Sequence, residues 1–129
     1  MDLLKSKKGQ GTVELAITLV LLFVILFAIV DFGRIFHANL VLNHIGREAA
    51  REVSIGSADS HVASVIQNQS TGIDSGRINI VITPNQTQRS RGSYATIQLS
   101  YPVNTITPVL SNFLPNPLIV RNQTVTRIE

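Results

Sequence analysis

The run from Leu15 to Val30, in which Thr18 is the only polar residue, limits this chain more than any other stretch. It contains neither Gly nor Pro to interrupt a helix. With Val13 and the uncharged residues before Glu14, it approaches the roughly 20 residues that cross a hydrocarbon core. The run therefore predicts a membrane span at about 13–30. Lys5, Lys7 and Lys8 stand just before it, whereas Asp31 and Arg34 just after it balance one another. The excess of Lys predicts a cytoplasmic amino terminus and an extracytoplasmic remainder. Lys7 and Lys8 then mark one membrane boundary, and Asp31 and Arg34 the other. A cleavable secretory signal also begins basic and continues apolar. Against it, the apolar run is longer than an ordinary signal core, Ala28-Ile29-Val30 is a poor cleavage site, and a helical pattern continues past Val30.

With 129 residues, of which about thirty are leader and span, only one small extracytoplasmic domain fits, and a head of some seventy residues is expected beyond the long helix. That is close to the lower limit for burying a stable core alone. The chain has no Cys, which excludes disulfides, thiolate metal sites and thiol redox chemistry. The net charge of +3 arises largely from the leader lysines, and beyond Val30 arginines and acids nearly balance. Basicity thus reflects membrane topology, and no nucleic-acid partner is expected. Arg89-Ser90-Arg91-Gly92, the one local basic pair of the head, reads as a solvated hairpin turn.

Glu14 is the unusual residue, because a carboxylate in hydrocarbon costs roughly 2.5–3.5 kcal/mol at the centre and less towards the interface. At its simplest it marks the water boundary, with the span proper starting at Leu15. Its spacing suggests more. A basic leader, Gly9, Glu14 five residues later and then an apolar helix resemble the class III signal of type IV prepilins. There a membrane aspartyl peptidase cuts after the glycine and the glutamate becomes the fifth mature residue. The resemblance implies a cut between Gly9 and Gln10; a cut after Gly11 would put Ala16 at the fifth position. A small residue lets an extended backbone enter a protease cleft. Glu14 would then offset the amino terminus of a neighbouring subunit in a low-dielectric setting, although a freed Gln10 that cyclised to a neutral ring would weaken that pairing.

The segments GQGTVELAI, IVDFGRIFHANLVLNHIGREAAREV and YPVNTITPVL…VRNQTVTRIE resemble the TadE-like family, small pilin-like proteins of the tight-adherence (Tad, or Flp) branch of type IV pili. Asp31-Phe32-Gly33-Arg34 corresponds to the family's acidic-Phe-Gly-Arg step, and Arg47-Glu48-Ala49-Ala50-Arg51 to its Ala-Ala-Arg-rich stretch. Residues from about Ser54 to Ser93 carry no such motif. The resemblance implies as partners a prepilin peptidase, other pilin-like subunits, the Tad secretion machinery and the lipid bilayer.

In order, 1–9 reads as leader, 10–54 as one long helix and 55–129 as the head. Ile35, Ala38, Leu42, Ile45, Ala49 and Val53 recur at intervals of three and four, so the second half of the helix is amphipathic. At 1.5 Å per residue the helix is roughly 65 Å long, too long for so small a head to bury. Asp31 and Arg34 can pair at i,i+3 for about 0.2–0.5 kcal/mol. Gly33 and Gly46 permit a bend or a close helix approach, or are merely tolerated. Gly56 reads as a helix stop. Asp59 or Ser60 then caps a short helix bearing Val62, Val65 and Ile66. From Arg77 the period changes to two, giving strands over Ile78–Ile82, Ala95–Tyr101 and Leu118–Ile128. The prolines of 102–117 predict an irregular link. The expected fold is α+β, a long helix against a small antiparallel sheet, pilin-like in outline.

Catalysis has little support. His37 and His44 lie two helical turns apart, too far to share a metal. His44 and Glu48 can face each other, yet two ligands do not make a site. No phosphate loop, G-x-S-x-G or Cys nucleophile occurs, and Glu14 lacks a second carboxylate for acid–base work. No enzyme, cofactor or metal is expected. Three readings stand: a processed pilin-like subunit, an uncleaved membrane anchor displaying a small β domain, and a tethered enzyme or ligand-binding domain.

Overall fold

In the computed structural model, which describes residues 7–115 and 117–129, one helix carries everything else. Lys5 and most of the leader lie outside the described residues, as does Asn116 in the 102–117 link. Helix α1 runs from Lys7 to Ser54 without a break. It starts three residues before the expected boundary at Gln10, so the end of the leader is already helical. It stops where Gly56 takes φ +82, a left-handed conformation open to glycine without a Cβ penalty.

The stripe read from the sequence is the face that packs. Ala38, Leu42, Ile45, Ala49 and Val53 are buried, and Ile35 is partly buried at the end of the stripe nearer the apolar run. Helix α2 (Asp59–Gln69) covers one flank with Val62 and Ile66. Its amino terminus differs from expectation. Ala58 precedes the helix and no side chain caps it locally. Instead the backbone N–H of Asp59 donates to Oε1 of Gln86, 3.1 Å away. The Asp59 carboxylate pairs with Nη1 of Arg89 at 2.6 Å, and Nε of Arg89 donates to the Pro84 carbonyl. Arg89 is therefore a buried tie between the hairpin connection and α2, not a residue of a solvated turn.

Strands β1 (Asn79–Thr83), β2 (Tyr94–Val103) and β3 (Leu118–Arg127) form an antiparallel sheet in the order β1-β2-β3. The α+β fold is the expected one. Ala95, Ile97 and Leu99 of β2 face α1 and are buried. Pro102, expected in an irregular link, lies within β2 opposite Ile119. Pairing with β1 reaches only Ser100, so at Pro102 the strand has a neighbour on one side alone and a missing N–H is tolerated. The link itself contains a one-and-a-half-turn helix, α3 (Pro108–Phe113), opened by Pro108.

Strand β3 turns Val120, Asn122, Thr124 and Thr126 inwards and leaves Ile119 and Val125 exposed. With this polar inner face, β3 has no strong hydrophobic alternation in its sequence. The Asn122 amide donates to Oδ1 of Asn43 on α1, and the Thr124 hydroxyl donates to Oδ1 of Asn122. Gly46, buried beneath them, is a close-approach residue: a Cβ there would collide with Oδ1 of Asn122. Gly33 has nothing within 4 Å of a Cβ position. Gly46→Ala is therefore expected to lower stability by about 1–3 kcal/mol through overpacking, and Gly33→Ala to raise it by about 1 kcal/mol through helix propensity. Denaturant unfolding of the full chain in detergent compares the two.

Candidate functional site

The amino-terminal half of α1 displays its side chains rather than packing them. Its most apolar window has a mean hydropathy of 3.0, none of it buried, so the helix is long and apolar enough to cross a membrane. Gly9 and Gln10 lie within its first turns, so the proposed cut falls in helical backbone, not in an extended segment. Glu14 is exposed on the same surface, in a shallow groove with Gln10, Val13, Ile17 and Thr18. It makes no ion pair among the described residues. Its backbone carbonyl takes the Thr18 hydroxyl at 2.8 Å, and the Lys8 carbonyl takes that of Thr12 at 3.0 Å. Lys7 and Lys8 are exposed.

At the other end of the apolar run the geometry is closed. Asp31, the first residue past Val30, is 1% exposed although it sits on the same apolar helix. Its carboxylate accepts from the backbone N–H of Ile106, 3.0 Å from each oxygen, and from that of Thr107 at 2.8 Å. Arg34 lies 3.6 Å from it and donates from Nη1 to the Asn104 carbonyl at 2.9 Å. The two side chains together hold the 104–107 loop against the exit of α1. Burial pushes the Asp31 carboxyl up, but the Ile106 and Thr107 N–H groups, the Thr107 hydroxyl and Arg34 outweigh it and hold the carboxyl below its ordinary value. The Arg34 contact is the smaller part, since that side chain is 44% exposed and solvent screens it. The sequence-level reading of a modest i,i+3 pair thus missed the main partner.

The partners on the 104–107 loop left one sequence signal, a Thr before a Pro that opens a helix; nothing in the sequence ties that Thr to Asp31. The three histidines make no common site. Nε2 of His37 meets the Thr71 carbonyl at 3.2 Å, that of His44 meets Oε1 of Gln69 at 3.1 Å, and that of His61 lies 3.3 Å from the Glu52 carboxylate. Each joins α1 to the α2 region. Glu48 does not join His44, and no group of three or more metal-ligating side chains occurs among the described residues.

The family described as TadE-like protein matches at residues 9–51. The match begins at Gly9 and ends at Arg51, near the end of α1, and it includes Glu14, Asp31 and Arg34. The C-terminal segments that also carried the resemblance fall outside it. Over this stretch the chain is similar to components associated with the Tad pilus, a structural family. No curated protein and no solved structure matches the chain.

Proposed function

We propose that this chain, TadE-like along its long helix, is a pilin-like structural or assembly component of a Tad (Flp) type IV pilus. It enters the cytoplasmic membrane once, with the amino terminus in the cytoplasm and the head outside. A prepilin peptidase removes the leader between Gly9 and Gln10, and α1 then packs with helices of other subunits, with Glu14 setting the register against a neighbour's freed amino group.

The observation that carries this reading is the length of the bare apolar surface. Exposed apolar side chains run from Val13 through Phe32 and Phe36 to Leu40, about 42 Å at 1.5 Å per residue. A hydrocarbon core covers roughly 30 Å. Phe32, Phe36 and Leu40, four residues apart on the side away from the head, continue the lipid-facing surface where lipid tails end. Such a surface is suited to another helix.

The helical start at Lys7 favours a second reading, an uncleaved anchor, because Gly9 must leave the helix before a protease can hold it. Gly9 and Gly11 each weaken that first stretch by about 1 kcal/mol relative to Ala, which makes the opening inexpensive. Mass measurement on the membrane-extracted protein separates the two. A chain beginning at Gln10 is expected, and an intact leader supports the anchor. Gly9→Leu should retain the leader and abolish surface pili; normal fibres in that mutant overturn the processing step.

A further inference from the structure

We propose that the underside of the head is a phospholipid-binding surface. A cleft at the exit of α1 takes a lipid phosphate between Arg34 and Arg77, and Ile106 and Phe113 enter the bilayer boundary beside it. The proposal rests on the reading that residues 13–30 cross a membrane.

The cleft holds about 330 Å³ and lies between α1, the 72–77 turn and the end of β2. Gly33 and Gly72 give it backbone walls, and Tyr101 forms part of the opposite side. Its height fits the ligand. Arg34 follows Val30 by about 6 Å of helix, and the headgroup layer occupies roughly 5–8 Å beyond the hydrocarbon. The charges fit as well. Arg77 lies over the Tyr101 ring, 6.0 Å from its centroid, and makes no ion pair among the described residues. Arg34 uses Nη1 on Asn104, and its guanidinium has further N–H donors to offer. Of the acids beside it, Asp31 is buried and already accepts from two backbone groups, and Asp74 in the 72–77 turn accepts from the Gly76 N–H.

A second, independent feature lies beside the cleft. From Gly92 to Val120 the sequence has no charged residue. The middle of this stretch is held at the depth of Asp31 by the Ile106 and Thr107 hydrogen bonds. Here Ile106 is 56% exposed, and Phe113, at the end of α3, is 81% exposed. No large apolar side chain among the described residues is more exposed than Phe113. An uncharged segment that runs on from Asn104 of the cleft wall and displays Ile106 and Phe113 matches the chemistry of a bilayer interface. Phe32, Phe36 and Leu40 are on the other side of α1, so lipid docking leaves them available to a neighbouring helix.

The chain contains no Trp, so a single indole reports one position. Phe113→Trp, Tyr94→Trp and Leu22→Trp are made in the full chain and reconstituted into vesicles of phosphatidylcholine and phosphatidylglycerol brominated at shallow or deep acyl positions. Phe113→Trp is expected to emit to the blue and to lose at least half its intensity to shallow bromines. Tyr94→Trp, at the far end of β2 near the close of α1, should remain unquenched, and Leu22→Trp should be quenched by deep bromines. At equal mole fraction, brominated phosphatidylglycerol should be about fivefold enriched over phosphatidylcholine near Phe113→Trp. Arg77→Gln, which breaks no ion pair of the fold, should remove that preference. A water-like Phe113→Trp with Leu22→Trp still quenched overturns the proposal and leaves the span intact. An unquenched Leu22→Trp removes the span itself. Shielding of Phe113→Trp that vanishes on dilution into lipid means that a second copy covers the surface, and loss of the preference in millimolar inorganic phosphate means a free-anion site. Either outcome also overturns the proposal.

Discussion

Asp31→Ala will cost the folded head about 2–5 kcal/mol and free the 104–107 loop from α1. The size follows from what is left behind. The N–H groups of Ile106 and Thr107 lose their acceptor, and an abandoned buried donor costs about 1–3 kcal/mol. For a small head whose whole stability is on the order of 5 kcal/mol, that is a large share. Asp31→Asn keeps the shape and one acceptor, and should lose about half as much. The pH response separates charge from shape. The folded Asp31 carboxyl is held below its ordinary value, so its stabilisation is complete above the unfolded pKa of about 3.9 and is lost as pH falls through the lower folded value. Asp31→Asn should flatten that acid limb. Amide exchange at Ile106 and Thr107 in the detergent-solubilised chain measures the loop directly; unchanged protection in Asp31→Ala would show that other contacts hold it.

Leu42 and Leu40 provide the second large effect, because two residues on one helix meet opposite surroundings. Leu42 is fully buried under the sheet, and Leu40 is 65% exposed on the far side. Truncating a buried Leu to Ala costs about 2–5 kcal/mol, the transfer of the lost atoms plus the cavity they leave. Leu42→Ala should therefore unfold the head or bring it close to unfolding. Leu40→Ala should leave the unfolding midpoint within about 0.5 kcal/mol of the parent and instead weaken subunit association, together with the neighbouring Phe36→Ala. Since the chain has no Cys, single cysteines at 36 and 40 give a clean cross-linking readout. Equal stability losses at 40 and 42 would mean that both faces of α1 pack within one chain, and would remove the support for helix bundling.

The helix was legible because its evidence is local and periodic. The same stripe from Ile35 to Val53 that recurs at three and four in the sequence is the stripe that packs, and the apolar run needs no partner to be recognised. The strands were legible where alternation was strong, at Ile80–Ile82 and Ala95–Leu99. At β3 the strand and its two faces were legible but the register was not, because the inward positions Asn122, Thr124 and Thr126 are polar; Asn122 finds its partners in Asn43 and Thr124. Proline misled at 102, since β2 outruns β1 there. The ties of the candidate site were hidden for a different reason. Asp31 meets groups some 75 residues later in the chain, and Arg89 meets Asp59 across a loop. Neither pairing leaves a spacing that one sequence can reveal, so Asp31 was read only beside its helical neighbour Arg34, and Arg89 only as a turn residue.

An uninterrupted helix from Lys7 to Ser54 also has a mechanical meaning. With the head clasped at Asp31, at Gly46 and at the close of α1, where Glu129 N–H donates to the Ser54 carbonyl, head and shaft turn as one piece. A machine that advances such a shaft along its own helical grooves gains about 1.5 Å and 100° of rotation per residue. Each residue of axial travel along such grooves thus swings the head by the same angle, so the bearing of the head and the advance of the shaft are tied to one another.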